Sequence, residues 1–575
     1  MKPFKFTNEH LFYALIFLIA LGIRLIDIGK IPLSNYEAGF ALQALAFSKG
    51  LSASFLGQPG YISLTGILFF LMGDTEFLAR LLPALFGSLI VLVPLFFRNQ
   101  MDKRASLIMA GLLMIDPGMV ALSRNADGTS IVLAGSLLGA GLFLNGQWIL
   151  SGICAGLALL GGPLIWPGLI YATGATWISG KVFSTEENLL QVENSEPVLR
   201  RMFSGKYAKF WFALIAVLFF VGTQFLLHPL GLSAVGSSFV EYFKGWTSGF
   251  TLPPIQSWLL FFFYEPAFLV LGLYCGIRGW LANNPFDKFL LHWWILAGIL
   301  GILYPGQEIA NFSWALIPML ALAARQIERM IPEKFEFTAP IGAQALVTFA
   351  LVVFVVLNIV YLSKGQASPD DLRLRIIAVA GSFAILVLTT YLLGTGWNWS
   401  TTLIGIKMAA AGLIVLSTIS ASWHAAGLGS LPDREMWRNG RTVISGDLLR
   451  NTLGNVSEYN TGRRDAIDVQ IVGIESPALD WALREYGKIN HTGQVVTNEN
   501  SSIILTPGNQ IPALGETYRG QNIVWASQPA WPLILPDEWP SWLFFRVAPA
   551  DSETMIVWVR NDLFPGAAAN TAPPQ

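Results

Sequence analysis

The sequence predicts a polytopic α-helical membrane protein of about thirteen transmembrane helices, with a small α/β domain at its C-terminal end. Three observations predict it. Of 575 residues, 53% are hydrophobic and 13% charged, about half the charge of an average soluble domain. Apolar stretches long enough to span a bilayer, or nearly so, recur from residue 11 to residue 422. Beyond residue 423 the hydropathy falls, and Asp, Asn, Gly and Pro become frequent.

The expected spans are 11–29, 80–97, 105–122, 129–144, 147–162, 164–178, 210–227, 257–275, 289–304, 311–324, 340–362, 375–394 and 403–422. The first reads as a retained signal anchor, because no small-residue cleavage site follows it. The stretch 61–72 is apolar over about a dozen residues, which suits a re-entrant or interfacial helix better than a span. With the N-terminus in the cytoplasm, the loops 98–104, 179–209, 278–288 and 325–334 fall on the same side. Together with Lys2, Lys5 and Lys407 they carry about 16 basic residues, roughly twice the number on the other side before residue 423, as the positive-inside rule requires. Counting 61–72 as a span would put Arg98, Lys103 and Arg104 outside.

This topology divides the chain into a transmembrane domain, 1–422, with a long first outer loop over 30–79, and an extracytoplasmic α/β domain, 423–565. Alternating stretches at 466–474, 502–506, 522–526, 542–547 and 555–560 read as strands. The stretch 476–486 reads as a helix with Ser476 as N-cap and Pro477 in the first turn. Gly566 to Gln575 is rich in Ala and Pro and reads as a disordered tail. The expected location is the plasma membrane, with the C-terminal domain outside.

Several function classes are excluded. A net charge of −1 favours no nucleic-acid partner. Cys154 and Cys275 lie in apolar segments and read as small buried hydrophobes, so neither a disulfide framework nor a cysteine metal site is expected. No phosphate loop, paired CxxC site or dinucleotide fingerprint is present.

The first outer loop draws attention by its length. It opens Ile31-Pro32-Leu33-Ser34-Asn35-Tyr36-Glu37-Ala38, which puts Glu37 at the start of an interfacial helix. A carboxylate there is stabilised by the helix N-terminus and can accept a proton from an acceptor hydroxyl; it can equally be a helix-start acid with no further role. Arg80 lies where the second span leaves the outer surface, placed either to hold a phosphate or to anchor the helix. Arg24 and Asp27, three apart on one helix, can pair. Arg124 and Asp127 share the short second outer loop. Glu265 lies inside the eighth span, where an ionisable group faces the bundle or a wet cavity. Glu308 lies in an outer loop on the same side as Glu37, and His228 there reads as structural.

The order of these features resembles the GT-C superfamily of membrane glycosyltransferases, which includes protein O-mannosyltransferases and the lipid A aminoarabinose transferase. The resemblance is carried by Arg24, Pro32-Leu33 with Glu37-Ala38, the helix opening at Pro59-Gly60-Tyr61, Gly73 to Pro83 with Arg80, and Ser123-Arg124-Asn125-Ala126-Asp127. It is similar, within that group, to glycosyltransferase-family-39-like and flippase-activity-associated proteins. It is good over roughly residues 10–180, and mostly topological after 335.

The resemblance implies an inverting transfer of a sugar from a polyprenyl-phosphate carrier to a protein, lipid or glycan acceptor at the outer face, using no nucleotide. Glu37 and Asp127 would be the catalytic carboxylates. Arg80, Arg124 and Arg24 would bind the donor phosphate, and Tyr36, Glu265 and Glu308 would line the pocket. The family's loop commonly has Asp where this chain has Tyr36, and a phenol of pKa near 10 is no base at neutral pH. Resemblance to the related oligosaccharyltransferase branch implies a Mg²⁺ or Mn²⁺ shared by Asp127 and Glu37 through their hard oxygen ligands, whereas resemblance to the O-mannosyl-type branch implies no metal. The alternative function is a non-catalytic protein that binds a lipid-linked sugar or assists a flippase. A transporter is disfavoured, since no inverted repeat is present and the polar residues cluster at one face.

Overall fold

A computed structural model gives the structure of residues 8–51, 57–180, 205–229, 231–250, 254–332, 336–362, 368–494, 501–510, 512, 517–536 and 538–564. The expected tail 566–575 and much of the basic loop 179–209 lie outside these residues.

The chain is a helical bundle followed by a mixed sheet. Among the described residues, six helices are long and apolar enough to cross a membrane: Asn8–Leu25, Glu76–Phe96, Pro285–Leu303, Ala339–Leu362, Pro369–Gly396 and Trp399–Ala425. Five shorter apolar helices lie among them: Pro59–Met72, Thr129–Leu144, Trp148–Leu160, Tyr207–Gly222 and Pro266–Leu281. The protein is thus a multi-pass membrane protein. Two stretches expected as continuous spans are broken at proline. The helix Lys103–Ile115 ends before Asp116-Pro117, and Pro254–Tyr264 ends before Glu265-Pro266. Proline has no N–H to continue the helical ladder but suits the first turn of the next helix.

In the first outer loop, Asn35–Ser48 and Pro59–Met72 pack on each other. Gly66 makes the approach possible: a Cβ there would lie 2.9 Å from the Ala44 carbonyl oxygen and still closer to the Phe47 ring. The buried face includes Ala38, Ala41, Ala44, Tyr61 and Ile62.

The C-terminal domain is a six-stranded sheet of order β1-β5-β6-β4-β2-β3, with β1 Thr442–Val443, β2 Val469–Val472, β3 Ile489–Thr492, β4 Ile503–Pro507, β5 Tyr518–Pro529 and β6 Ala550–Arg560. β2 runs parallel to β3 and β4, and the remaining pairs are antiparallel. The helix Gly446–Thr461 precedes β2, and the short helix Pro477–Ala482 carries the chain across to β3. The stretch 542–547, expected as a strand, is instead the end of helix Trp539–Phe545 and its left-handed cap at Arg546, φ 59°. Its aromatics favour strands, but Pro540 opens a helical turn and the rings pack on other aromatics rather than across a sheet.

The domain docks on the first outer loop. Ser476 Oγ donates to Asn35 Oδ1 at 2.6 Å, and Arg484 Nε donates to Asp74 Oδ2 at 2.7 Å. Glu76 accepts from Arg450 at 2.6 Å and from the Trp481 indole at 3.2 Å. Trp481 is buried, with its ring 5.8 Å from that of Phe69. One hydrophobic core therefore runs from the loop helices into the sheet.

Candidate functional site

Ser34 has extended backbone and caps the helix Asn35–Ser48 in a reciprocal box with Glu37. The Ser34 N–H donates to Glu37 Oε2 at 3.0 Å, and the Glu37 N–H donates to Ser34 Oγ at 3.3 Å. This fixes the Glu37 carboxylate, 4% exposed, in front of Arg80. Arg80 Nε donates to Oε1 at 2.7 Å and Nη2 to Oε2 at 2.8 Å, a bidentate pair. The Ala126 N–H donates to Oε1 at 3.0 Å. Burial alone would raise the Glu37 pKa, but the Arg80 charge and these hydrogen bonds outweigh it and hold it at about 2.

That pairing corrects two of the expected roles. A carboxyl held so low has little proton affinity, so Glu37 is poorly suited to be a base. Arg80 has no N–H left for a phosphate. Its two hydrogen bonds to Glu37 are joined by Nη1 donating to the carbonyls of Ile28 at 2.9 Å and Ile31 at 2.6 Å, and by Nη2 donating to that of Pro32 at 3.3 Å. All five donors of a guanidinium are engaged.

Arg24 and Arg124 are also carbonyl clamps. Arg24, fully buried, donates to the carbonyls of Ala20, Leu113 and Met114 at 3.1–3.3 Å, satisfying the last turn of helix Lys103–Ile115. It does not pair with Asp27, whose ion-pair partner is Lys30 at 3.9 Å. Arg124 donates to the carbonyls of Ile23, Arg24 and Ile26 at 2.8–3.3 Å and of Ala426 at 3.0 Å, tying the C-terminal ends of helices Asn8–Leu25 and Trp399–Ala425 together. It does not pair with Asp127, its neighbour in the same short loop. Glu265 is 1% exposed, faces Asp116, and does not line the cavity described next.

Tyr36 and Glu308 come together although 272 residues apart: the Tyr36 hydroxyl donates to Glu308 Oε2 at 3.1 Å. Both line a cavity of about 160 Å³ with Gln58, Thr129, Glu241 and Asn311. Glu308 is exposed at the cavity rim; desolvation by the protein around it pushes its carboxyl up, the hydrogen bond from Tyr36 opposes that, and the Glu241 charge adds to it. Burial, followed by the charges of Glu308 and Asp127, pushes the Tyr36 phenol well up, so it remains a donor at neutral pH.

Asp127 lies behind this pair. Its loop is pinned because Gly128 lies so close to the turn at Gly161 that a Cβ would overlap the Gly161 carbonyl oxygen. The Gly128 N–H donates to Gln58 Oε1 at 2.7 Å. Asp127 Oδ1 accepts from the Thr129 N–H at 2.9 Å, while Oδ2 is buried without a hydrogen-bond partner among the described residues. Burial pushes Asp127 up to about 7, with hydrogen bonds from Thr129 opposing and the Glu308 and Glu37 charges adding.

A divalent metal shared by Glu37 and Asp127 does not fit. Both Glu37 oxygens are held by Arg80 and backbone N–H groups. No group of three His, Cys, Asp or Glu able to hold a metal occurs among the described residues.

Sequence reasoning missed Gln58, Glu241 and Arg438. Arg438 comes from the first segment after the last long helix and stands between two small clefts. One is lined by Arg80, Arg124 and Asn125, the other by Tyr36, Glu37, Asn125 and Arg441. Its Nε is buried without a hydrogen-bond partner, and it forms no ion pair among the described residues. Burial lowers its pKa, the Glu37 charge opposing and that of Arg80 adding. The only signal for it was an arginine beside Trp437 where the chain leaves the bundle.

No family model matches the chain, and no curated protein does. Among solved structures it is similar to ArnT from Cupriavidus metallidurans bound to undecaprenyl phosphate, with 14% identity and a TM-score of 0.49 over 98% of this chain and 99% of that one. It is also similar to the Archaeoglobus fulgidus oligosaccharyltransferase in its apo form, with 14% identity and a TM-score of 0.42 over 84% of this chain and 64% of that one. The archaeal oligosaccharyltransferase AglB from Archaeoglobus fulgidus, in complex with an inhibitory peptide and a dolichol-phosphate, gives 13% identity and 0.41 over 87% and 69%.

Proposed function

We propose that this protein is a membrane glycosyltransferase that transfers a sugar, with inversion, from a polyprenyl-phosphate donor to an acceptor at the face carrying the C-terminal domain. The observation that carries the reading is the Tyr36–Glu308 pair opening into a polar cavity beside the first outer loop. Glu308 is the outer-loop carboxylate that accepts the acceptor proton. Its raised proton affinity suits a base better than the paired Glu37 does. Tyr36, in the place where the family commonly has Asp, orients Glu308 by its hydrogen bond. Glu241, which lines the same cavity, adds its negative charge and so keeps the proton affinity of Glu308 up.

The donor phosphate needs a cation with free N–H groups. Arg438 is the arginine that supports this role, since Arg80 has none free. A guanidinium facing the leaving phosphate stabilises the charge that develops as the glycosidic bond breaks. Glu37 and Arg80 serve the site by holding the loop start. The sugar enters from the lipid and the acceptor from the aqueous side, below the C-terminal domain.

The test is transfer from labelled polyprenyl-phosphate sugars in reconstituted membranes. Glu308→Gln is expected to lose turnover while keeping donor binding and thermal stability. Full activity in that variant would remove Glu308 from the mechanism. Tyr36 in place of the family's Asp favours a second reading, a lipid-linked-sugar binder or flippase accessory. Tight donor binding without turnover in the wild-type protein would establish that reading instead.

A further inference from the structure

The C-terminal domain carries a segment whose chemistry does not suit water. Between Ala530 and Ala548 the sequence reads Trp531-Pro532-Leu533-Ile534-Leu535, then Trp539-Pro540-Ser541-Trp542-Leu543-Phe544-Phe545, and it contains only Asp537, Glu538 and Arg546 as charged residues. Arg546 is not presented to solvent; it is 5% exposed and its Nε donates to Glu435 at 2.7 Å. The apolar side chains are presented instead. Leu533 is 66% exposed, Leu535 58% and Val547 57%.

The segment is rigidly built. Trp531 and Trp539 lie almost parallel, 8° apart with ring centres at 6.0 Å, and the Trp542 indole donates to the Arg434 carbonyl at 3.0 Å. An element held by these contacts that still leaves leucines outward is not an unfinished core, and an apolar patch of this kind marks a contact surface.

Its neighbours identify the contact. Trp539 stacks on Phe263 at 4.9 Å and 12°, at the end of the helix that leads into the apolar helix Pro266–Leu281. The helix Trp539–Phe545 also lies against Ala339–Leu362. That helix is the most apolar of the six long ones, and only 11% of its apolar stretch is buried inside the protein. The leucine patch thus continues the lipid-facing surface of the bundle. Tryptophans at its edge are placed as in interfacial belts, with an apolar ring body and a polar N–H.

We infer that residues 530–536 and 538–548 form an interfacial anchor that inserts Leu533 and Leu535 into the leaflet on the side of the C-terminal domain. The partner is the lipid surface, bound by apolar burial with the tryptophans at headgroup depth. The anchor also fixes what stands behind it. Arg546 and the Tyr264 hydroxyl both donate to Glu435, three residues before Arg438.

The experiment uses the full chain with Cys154→Ala and Cys275→Ala. Single cysteines are introduced by Leu533→Cys, by Leu535→Cys and, as a control on the same domain, by Tyr459→Cys, which is 64% exposed. Each is labelled with an environment-sensitive fluorophore in phosphatidylcholine nanodiscs, with and without a lipid bearing a nitroxide near its headgroup. The expected result is blue-shifted emission, quenched at least twofold by the nitroxide lipid, at 533 and 535 but not at 459. Water-like emission at 533 and 535, or quenching equal to that at 459, overturns the inference. Blue-shifted emission that persists in detergent and ignores the nitroxide lipid also overturns it, because a protein surface then covers the patch.

Discussion

The buried pair of Glu37 and Arg80 can be tested as an architectural element. Glu37→Gln keeps the side-chain volume but removes the charge that accepts from Arg80 Nε at 2.7 Å and Nη2 at 2.8 Å. A cation 4% exposed is left without its counter-charge, at a cost of about 3–5 kcal/mol. Proton linkage gives a similar figure. A carboxyl held at about 2, against an ordinary value of about 4.3, corresponds to about 3 kcal/mol. Because the folded pKa is depressed, this stability is present above about pH 4.3 and is lost as pH falls toward 2. Thermal unfolding of the purified protein should therefore show Glu37→Gln well below wild type at neutral pH, with the gap closing below about pH 4. Combining Glu37→Leu with Arg80→Met should recover part of the loss but not all, since the carbonyls of Ile28, Ile31 and Pro32 lose their donor. If Glu37→Gln unfolds at the wild-type temperature at every pH yet abolishes transfer, the pair is not architectural and Glu37 is itself the reacting carboxylate.

The other predictions concern the cavity. Tyr36→Phe, which deletes the hydrogen bond to Glu308, should lower kcat about 10- to 100-fold with little change in KM for the donor, measured by steady-state transfer. Asp127→Asn should stabilise the protein as pH rises. A carboxyl pushed up to about 7 gives wild type its full stability below about pH 4 and takes it away through pH 7, so the variant's advantage should grow across that window to a few kcal/mol in thermal unfolding. A wild-type-like profile would mean that Asp127 finds a partner in solution. Arg438→Met should weaken binding of the lipid phosphate about 10-fold or more in a direct binding assay, without lowering Tm, because the cation it removes has no ion pair among the described residues.

The fold class was legible because a bilayer imposes its length on every spanning helix, and the drop in hydropathy after residue 422 separates two solvents. Local chemistry was legible too: Ser476-Pro477 starts a helix in the structure as it does in the sequence. The site was less so. Tyr36 and Glu308 were both singled out, but nothing in a linear chain tells that residues 272 apart share a hydrogen bond. The arginines mislead for a definite reason. At the ends of membrane helices the last carbonyls lack donors, and a guanidinium can satisfy several at once, so position alone does not separate a helix clamp from a phosphate ligand. Arg438 was barely legible because the two clefts it stands between form only when distant segments fold together.

The spacing of these contacts along the chain also sets a timetable. A chain is made from its N-terminus, so Glu37 and Arg80, 43 residues apart, meet while most of the protein is still unmade. The charge that would otherwise be stranded beside the bilayer is neutralised within the first pair of long helices. The cavity matures much later, when Glu308 arrives opposite Tyr36. The bond of Arg484 to Asp74, 410 residues apart, closes the loop at 30–79 only once the C-terminal domain has been made. A growing chain therefore neutralises its first buried charge once the first two long helices are in place, and the carboxylate proposed as the base joins only after most of the bundle has been made.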